Sequence, residues 1–430
     1  MVKRSLLSDT RLAILESGFG LGGWIPRAIS ATARPPQIPV ADRDRYWMSK
    51  ALLEAMEAVG RSSPNPSVGA VLVQGDKVLG RASTQVYGSF HAEAMALLSA
   101  KSAGFDVKTA ECYVTLEPCG GLGGKQAPCA DALIASGIGR VIFAAEDPHQ
   151  KAGGLGTRKL EDASISIARA LTNEANAWHF PFLAYQQKQK PIVIGKWAQT
   201  LDGHLADDHD KSQWISGPRS RAYTHWLRQK YDAIMVGINT VLHDQPRLTV
   251  RDSALPRARD PQKIIFDPKA RLATASSEVL NNLFEATSSG GPLVYWCTEA
   301  GMMALPASLE VYRDRLVLVP TIREGNWDEL FQSLSNEHQK RYGFELQSIL
   351  IEGGSQLLTL LMRADQLDAC HIFVRAGVLG GTRNRIGRLE RGENPTRDLM
   401  ERDDYRLLAT AQIDDDVLIE TVSRKYDFWK

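Results

Sequence analysis

The fold of the first half of the chain is decided by Cys112-Tyr-Val-Thr-Leu-Glu-Pro-Cys119 and by Pro128-Cys-Ala-Asp-Ala-Leu-Ile134, which follows after a glycine-rich loop. Apolar residues at positions 112, 114 and 116 alternate with other residues and predict a β-strand. The apolar run after Cys129 predicts a helix over residues 130–136, and another strand is predicted over 141–145. This order indicates an α/β fold with a largely parallel sheet covered on both faces.

The segments upstream of this stretch are regular as well. A helix is predicted from Arg45 onward and is ended by Ser63-Pro-Asn-Pro66. Two short strands then form a hairpin around Gly75-Asp76, because this pair of residues is typical of tight turns. Another helix begins near His91. Residues 1–42 differ, since repeated Gly and Pro interrupt every period, so they are predicted to be an irregular extension.

The length and charge of the chain indicate several domains and a small substrate. A chain of 430 residues is long enough for two or three domains of about 150 residues. The polar segment ending at Lys190-Pro191 places a boundary there, giving domains over residues 43–188 and 189–430. Lys and Arg total 51 against 50 Asp and Glu, a net charge of +1. This balance argues against a nucleic-acid partner, which would normally require a basic excess.

The second domain repeats the alternation of strands and helices. Helices are predicted around Trp226, Leu330 and Leu360. Seven strands are predicted over residues 192–197, 233–237, 263–266, 293–296, 316–319, 348–351 and 371–374.

Apolar runs in the chain are strand-sized and far shorter than the roughly 18 residues that a membrane-spanning helix needs, so no membrane association is expected. Five cysteines, an odd number, do not suggest a disulfide framework. A reducing compartment, the cytoplasm, is therefore the expected location. Cysteines that cluster there are candidates for metal binding.

A metal site is indicated by His91-Ala-Glu93 together with Cys119 and Cys129. One imidazole and two thiolates suit Zn²⁺, and three protein ligands leave a fourth position for water, whose pKa zinc lowers. Glu93 can carry a proton between this water and a substrate. A hydrolytic site is therefore predicted, with a closed structural zinc site or a pair of buried thiols as the alternative. The remaining cysteines are predicted to lie in the core: Cys112, Cys297 and Cys370.

The first half resembles the deaminase domain of the bifunctional riboflavin-biosynthesis deaminase/reductase family. The resemblance rests on Ser63-Pro-Asn-Pro-Ser-Val-Gly69, His91-Ala-Glu93, Tyr113-Val-Thr-Leu-Glu-Pro-Cys119, Pro128-Cys-Ala-Asp-Ala-Leu-Ile134 and Glu146-Asp-Pro148. It implies a cytidine-deaminase-like three-layer domain. It also implies zinc ligation by His91, Cys119 and Cys129, proton transfer by Glu93, and contact of Asn65 with the substrate ring.

One loop departs from the family pattern. The family usually has eight residues between the two cysteines, including a histidine pair and a basic residue. Here nine residues intervene, they contain no histidine, and Lys125 is the cation that remains. An altered or inactive deaminase half beside an active reductase is therefore the alternative function.

The second half contains a glycine-rich turn between a predicted strand and a helix, Ile349-Leu-Ile-Glu-Gly-Gly-Ser355. Exposed amides at such a helix start suit a phosphate group. The second half resembles the reductase domain of the same family through Lys196-Trp-Ala-Gln-Thr-Leu-Asp-Gly203, Ser212-Gln-Trp-Ile-Ser216, Asp232-Ala-Ile-Met-Val-Gly237, Thr240-Val-Leu-His-Asp244 and Leu248-Thr-Val-Arg251. This resemblance implies a dihydrofolate-reductase-like α/β domain with NADPH as the hydride donor.

The reductase resemblance assigns two sets of contacts. Those implied for NADPH are Ala198, Trp214, Thr240, Asp244, Gly354 and Ser355. Those implied for the substrate are Ser212, Arg228, Leu248, Arg251 and Glu352. Arg228 and Arg251 suit a fork for the sugar phosphate, and Glu352 suits the sugar hydroxyls.

The function expected from these resemblances has two steps. The first is deamination of 2,5-diamino-6-(5-phosphoribosylamino)pyrimidin-4-one, and the second is reduction of the ribosyl group to ribityl. Lys196 and Asp244 are the candidate proton donors for reduction. The expected partner is a small phosphorylated pyrimidine, and a homo-oligomer is expected. A nucleic-acid-editing deaminase and a non-catalytic zinc-stabilised binding module are the competing classes.

Overall fold

The computed structural model describes residues 40–121, 127–148, 153–207, 215–251, 259–285, 292–299, 305–321, 326–380, 386, 404–426 and 428–429. The predicted extension, residues 1–42, lies almost wholly outside this set. The chain forms two compact units, Met1–Gln189 with Phe428–Lys430 and Lys190–Asp427.

The first unit alternates helices with strands. Its helices are α1 (Val40–Ala55), α2 (Ala92–Ser102), α3 (Cys129–Ser136), α4 (Leu155–Asp162) and α5 (Thr172–Lys188). Its strands are β1 (Gly69–Gln74), β2 (Lys77–Ser83), β3 (Glu111–Leu116), β4 (Arg140–Ala145) and β5 (Ser166–Arg169).

The five strands of the first unit form one sheet in the order β2-β1-β3-β4-β5. Strands β3, β4 and β5 are parallel, as the alternation with helices predicted. Strand β1 runs antiparallel to both β2 and β3. The sheet is therefore mixed, and the tight turn at Gly75 accounts for the antiparallel pairing of β1 with β2. Gly75 takes the left-handed conformation, φ 58°, that this turn requires.

In the described part of the chain, the second unit contains five α-helices and nine strands. Its helices are α6 (Pro218–Lys230), α7 (Ile238–Asp244), α8 (Ser277–Phe284), α9 (Trp327–Tyr342) and α10 (Ser355–Arg363). Its strands are β6 (Ile192–Thr200), β7 (Ala233–Gly237), β8 (Gln262–Phe266), β9 (Val294–Glu299), β10 (Leu316–Thr321), β11 (Ser348–Ile351), β12 (Ala369–Arg375), β13 (Tyr405–Ile413) and β14 (Asp416–Ser423).

These strands form a nine-stranded sheet in the order β10-β9-β8-β7-β11-β6-β12-β14-β13. The strands from β10 to β12 are mutually parallel, whereas β14 is antiparallel to β12 and to β13. Successive residues of β7 belong to two different apolar clusters, Met235 to one and Ile234 to the other. Because side chains alternate between the faces of a strand, this sheet has an apolar core on both faces.

All seven strands that the sequence predicts in the second unit are present. The closing hairpin, β13 and β14, was not predicted. Its strands are amphipathic and lie at the edge of the sheet, where Leu407 and Val417 remain exposed. Such strands lack the continuous apolar run that marks the buried parallel strands.

The sequence places residues 428–430 in the second domain, whereas in the structure they group with the first unit. The side-chain amide of Asn176 on α5 donates a hydrogen bond to the carbonyl oxygen of Phe428. The ring of Phe180, also on α5, lies 6.5 Å from that of Phe428 and 6.1 Å from that of Trp429.

Candidate active sites of the two units

Three elements of the first unit bring the predicted zinc ligands together. His91 is the N-cap residue of α2, Cys119 follows β3, and Cys129 is the first residue of α3. Sγ of Cys119 lies 3.7 Å and Sγ of Cys129 lies 3.4 Å from Nδ1 of His91. The three donor atoms lie within 4.8 Å of one another.

These separations fit a tetrahedral ion. Zinc bonds of about 2.3 Å to sulfur and about 2.0–2.1 Å to nitrogen place the sulfur and nitrogen about 3.6 Å apart at the tetrahedral angle. Both observed distances lie close to that value. The donor set therefore fits Zn²⁺ with three protein ligands, and the predicted grouping of His91, Cys119 and Cys129 is present.

The thiols differ in acidity. The pKa of Cys119 is lowered mainly because the Cys129 thiol donates to its sulfur, and burial opposes this effect. The backbone amide of Cys129 also donates to Sγ of Cys119, at 3.3 Å. The pKa of Cys129 is raised, since its thiol is the donor and is buried. The three cysteines predicted as core residues are buried: Cys112, Cys297 and Cys370.

Glu93 lies on the first turn of α2 and is 3% exposed. Burial raises its pKa to about 7, and the nearby charge of Cys119 adds to this effect. A carboxyl group with this pKa exchanges a proton readily near neutral pH, as a proton shuttle must. The local geometry therefore suits the role predicted for Glu93.

Asn65 lies in the loop before β1. Its backbone amide donates to the carbonyl oxygen of Ser62, and the hydroxyls of Ser62 and Ser67 lie 3.1 Å apart. The indole of Trp178 on α5 donates to the carbonyl oxygen of Ser67 at 2.8 Å. The loop is thus held at both ends, while contact of Asn65 with a substrate ring stays a prediction.

The loop between the two cysteines is described at its ends, and residues 122–126, including Lys125, lie outside the described set. Gly121 has φ 84°, and a Cβ there would lie 2.3 Å from the ring of Pro128. A Cβ on Gly120 would lie 2.6 Å from the amide nitrogen of Gly156. These two glycines are therefore required by close approaches next to Cys119.

In the second unit, a partly buried ion pair joins two of the predicted substrate residues. Nε and Nη2 of Arg228 donate to Oε1 and Oε2 of Glu352 at 2.7 and 2.8 Å. Nη1 of Arg228 donates to the carbonyl oxygen of Thr249 at 3.1 Å. The sequence predicted that Arg228 and Arg251 form a fork for phosphate. In the structure the guanidinium of Arg228 is already paired with the carboxylate of Glu352, and contact of Arg228 and Arg251 with a phosphate stays a prediction.

The ammonium of Lys196 on β6 interacts electrostatically with both members of this pair. Burial lowers the pKa of its ammonium, Glu352 opposes this effect, and Arg228 reinforces it. The side chains of Arg228 and Glu352 are 12% and 13% exposed. Burial works to raise the pKa of Glu352, but the charge and hydrogen bonds of Arg228, together with the charges of Lys196 and His225, outweigh it and the net shift is downward. The cluster thus combines one anion with two cations.

The predicted NADPH residues that the structure describes lie at or just beyond the carboxyl ends of parallel strands, where ligands bind in open α/β sheets. Ala198 lies on β6, Thr240 and Asp244 lie on α7 directly after β7, and Ser355 begins α10 after β11. A Cβ on Gly354 would lie 3.8 Å from Oγ1 of Thr240, so these two positions are adjacent.

Other predicted contacts are placed less favourably or are not described. Leu248 is 2% exposed, so its side chain belongs to the core. Arg251 is exposed. Ser212 and Trp214 lie outside the described residues.

His225 was missed by the sequence interpretation. Its Nδ1 lies 3.1 Å from the carbonyl oxygen of Thr249 and 3.4 Å from the amide nitrogen of Arg251. It stands three residues before Arg228 on α6, so both share one helix face. The spacing of three residues between His225 and Arg228 could have indicated His225 from the sequence.

In the part of the chain that the structure describes, no helix is long and apolar enough to cross a bilayer.

Two protein-family models match this chain. The cytidine and deoxycytidylate deaminase zinc-binding region matches residues 41–145, and the RibD C-terminal domain matches residues 191–398. Riboflavin biosynthesis protein RibD of Aquifex aeolicus is 34% identical over 342 residues, which are 79% of this chain and 89% of that protein. The protein of the same name from Escherichia coli is 31% identical and covers the same shares.

Solved structures agree with these relatives. A diaminohydroxyphosphoribosylaminopyrimidine deaminase/5-amino-6-(5-phosphoribosylamino)uracil reductase from Thermotoga maritima superposes with a TM-score of 0.71 at 28% identity. The match covers 88% of this chain and 98% of that one. Acinetobacter baumannii RibD superposes with a TM-score of 0.69 at 26% identity, covering 89% of this chain and 99% of that one. The chain therefore belongs to the RibD family of riboflavin biosynthesis, with a deaminase domain followed by a reductase domain.

Proposed function

We propose that the first unit removes the ring amine of 2,5-diamino-6-(5-phosphoribosylamino)pyrimidin-4-one with the help of Zn²⁺. The second unit then reduces the ribosyl group of the product to ribityl with NADPH. The observation that carries this proposal is the tetrahedral spacing of His91, Cys119 and Cys129 beside the buried Glu93. The name of the Thermotoga maritima relative, which combines these two activities, supports the choice of substrates.

In deamination, each group of the first unit has a separate task. Zinc, when bound to His91, Cys119 and Cys129, supplies a Lewis acid that lowers the pKa of water. Glu93 takes one proton from water and delivers it to the ring nitrogen, and it then carries a second proton, from the newly added hydroxyl, to the departing amine. A carbon–oxygen bond forms, the carbon–nitrogen bond breaks, and ammonia leaves. Because its pKa is raised, Glu93 can both accept and release a proton during this reaction.

In reduction, NADPH supplies the hydride that reaches the anomeric carbon of the opened sugar or its imine. The chain must hold the sugar and provide a proton. Lys196 and Asp244 both remain candidates for the proton transfer, because burial lowers the pKa of Lys196 and raises the pKa of Asp244. Glu352, fixed by Arg228, presents an acceptor for sugar hydroxyls.

The alternative function, an altered or inactive deaminase half, is not favoured by the similarities to known proteins. The model of the deaminase zinc-binding region matches residues 41–145, and the Aquifex aeolicus relative aligns with 79% of the chain. The deviating loop leaves the metal ligands in tetrahedral spacing. Cytoplasmic location, a phosphorylated pyrimidine as partner and homo-oligomeric assembly belong to the same proposal.

An assay that follows ammonia release and NADPH oxidation separately tests the proposal. The purified chain is expected to release ammonia from the diaminopyrimidine and to oxidise NADPH only once the deaminated product is present. Glu93→Ala should lower ammonia release by at least about 100-fold, because general acid–base catalysis contributes that much. NADPH oxidation with the deaminated substrate should stay unchanged. Absence of ammonia release from the unaltered chain would support the alternative function instead.

A further inference from the structure

Glu117 is a buried carboxylate that the proposed deamination does not use. It lies between β3 and the Pro118-Cys119 dipeptide and is 5% exposed. Its Oε2 accepts hydrogen bonds from the amides of Asp147 at 3.3 Å and Gly154 at 3.2 Å. Its Oε1 accepts from the amide of Thr157 at 3.2 Å and from the Thr157 hydroxyl at 2.6 Å. A buried carboxylate needs such donors to offset the loss of hydration.

The donors come from the segment that joins β4 to α4 and from the first turn of α4. Asp147 follows β4, whereas Gly154 and Thr157 lie at the beginning of α4. The first amides of a helix lack acceptors within the helix, and a negative charge is favourable there. Glu117 supplies both the acceptor and the charge from a different strand. One side chain thus attaches the start of α4 to the turn that carries Cys119.

The backbones on the two sides of this connection touch. A Cβ on Gly156 would lie 1.7 Å from the carbonyl oxygen of Pro118. A Cβ on Gly120 would lie 2.6 Å from the amide nitrogen of Gly156. Cys119 stands between Pro118 and Gly120, so the start of α4 contacts the backbone on both sides of this zinc ligand. Loss of the Glu117 contacts would free that backbone to move.

We propose that Glu117 is a positioning residue for Cys119. Its carboxylate holds the start of α4 against residues 118–120 and so sets the place of the Cys119 sulfur relative to His91 and Cys129. The inference rests on the proposed zinc-dependent deamination. It adds a residue that touches neither the metal nor the substrate.

The first test replaces Glu117 by glutamine in the full chain. Glutamine has the same shape, but its NH₂ group faces amides that need an acceptor. Groups that orient metal ligands typically change metal affinity or activity 10–100-fold. Release of zinc to a chromophoric chelator should therefore accelerate about tenfold or more, and ammonia release should slow by a similar factor. The visible absorption spectrum of the Co²⁺-substituted protein should also change, because cobalt reports the ligand geometry.

Lys159→Met is the matched control. Lys159 also belongs to α4, but its Nζ contacts Oδ1 of Asp131 at 2.8 Å on the partly exposed side of the helix. This variant removes a contact of α4 without touching residues 118–120. Zinc release, the cobalt spectrum and ammonia release should all remain those of the unaltered chain.

Thr157 provides a second pair of variants in case Glu117→Gln does not fold. Thr157→Ser keeps the hydroxyl that donates to Glu117 and should preserve the zinc release rate. Thr157→Val removes the hydroxyl and should accelerate zinc release. A zinc release rate and cobalt spectrum unchanged in both Glu117→Gln and Thr157→Val would overturn the inference, even with lowered thermal stability. A failure of the proposed function is distinguishable, because the unaltered chain would then release no ammonia.

Discussion

At the scale of single residues, the two glycines at the start of α4 have different reasons to be glycine. Gly156 lies against the carbonyl oxygen of Pro118, and a Cβ there would approach that oxygen to 1.7 Å. Gly154 has φ 71° but open space around the position of a Cβ. Steric overlap with backbone is therefore specific to Gly156, whereas Gly154 needs only its left-handed conformation.

Gly156→Ala should destabilise the first unit by more than about 2 kcal/mol, because backbone must move to relieve the overlap. Gly154→Ala should cost about 1 kcal/mol, the strain of a left-handed residue with a Cβ. Denaturant unfolding of the zinc-loaded protein measures both. Equal losses for the two variants would contradict the close packing of Gly156 on Pro118.

The pairing of Arg228 with Glu352 gives a second prediction for single residues. Arg228→Lys keeps the charge but cannot donate two parallel hydrogen bonds to the carboxylate. NADPH oxidation should lose at least about tenfold in kcat/KM, a cost of about 1.4 kcal/mol in the transition state. Ammonia release should be unchanged, which controls for folding. Retention of full reductase activity by this variant would show that the bidentate pair is dispensable.

At the scale of elements, the parallel strands could be predicted and the closing hairpin could not. Strands β6 to β12 are buried on both faces and read as apolar runs, whereas β13 and β14 alternate and lie at an edge. The zinc ligands could be predicted because residue type and order alone indicate them. The ion pair of Arg228 with Glu352 could not, since it joins positions 124 apart. Local patterns do not encode such contacts.

Strand β8 carries a buried lysine, and this predicts a pH dependence of stability. Nζ of Lys263 donates to the carbonyl oxygens of Leu283 and Glu285, at the end of α8. Burial lowers the pKa of Lys263 to about 7, from 10.5. Between these pH values the unfolded chain binds more protons than the folded one, so the free energy of unfolding rises with pH. The rise for one group is at most about 1.4 kcal/mol per pH unit.

Lys263→Met should remove this rise between pH 7 and pH 9, and the exposed Lys269→Met should retain it. Denaturant unfolding of the second unit at the two pH values measures the difference. If Lys263→Met shows the same rise in the free energy of unfolding as the unaltered chain, then the rise comes from other groups and the prediction is wrong.

At the scale of the whole molecule, each unit carries its own candidate site. The zinc ligands and Glu93 all belong to the first unit, and the cluster of Lys196, Arg228 and Glu352 belongs to the second. A separate family model matches each half of the chain. The net charge of +1 is compatible with a phosphorylated substrate, since a few placed cations are sufficient. The account therefore assigns two activities with different metal requirements to one chain.

Metal removal followed by assay of both activities tests this central claim most directly. The chain is treated with a zinc chelator, and the chelator is then removed. Ammonia release and NADPH oxidation with the deaminated substrate are assayed separately. The account predicts that ammonia release is lost and returns on addition of Zn²⁺, while NADPH oxidation stays unchanged throughout. Ammonia release that survives complete removal of zinc, or NADPH oxidation that is lost with it, would contradict the account.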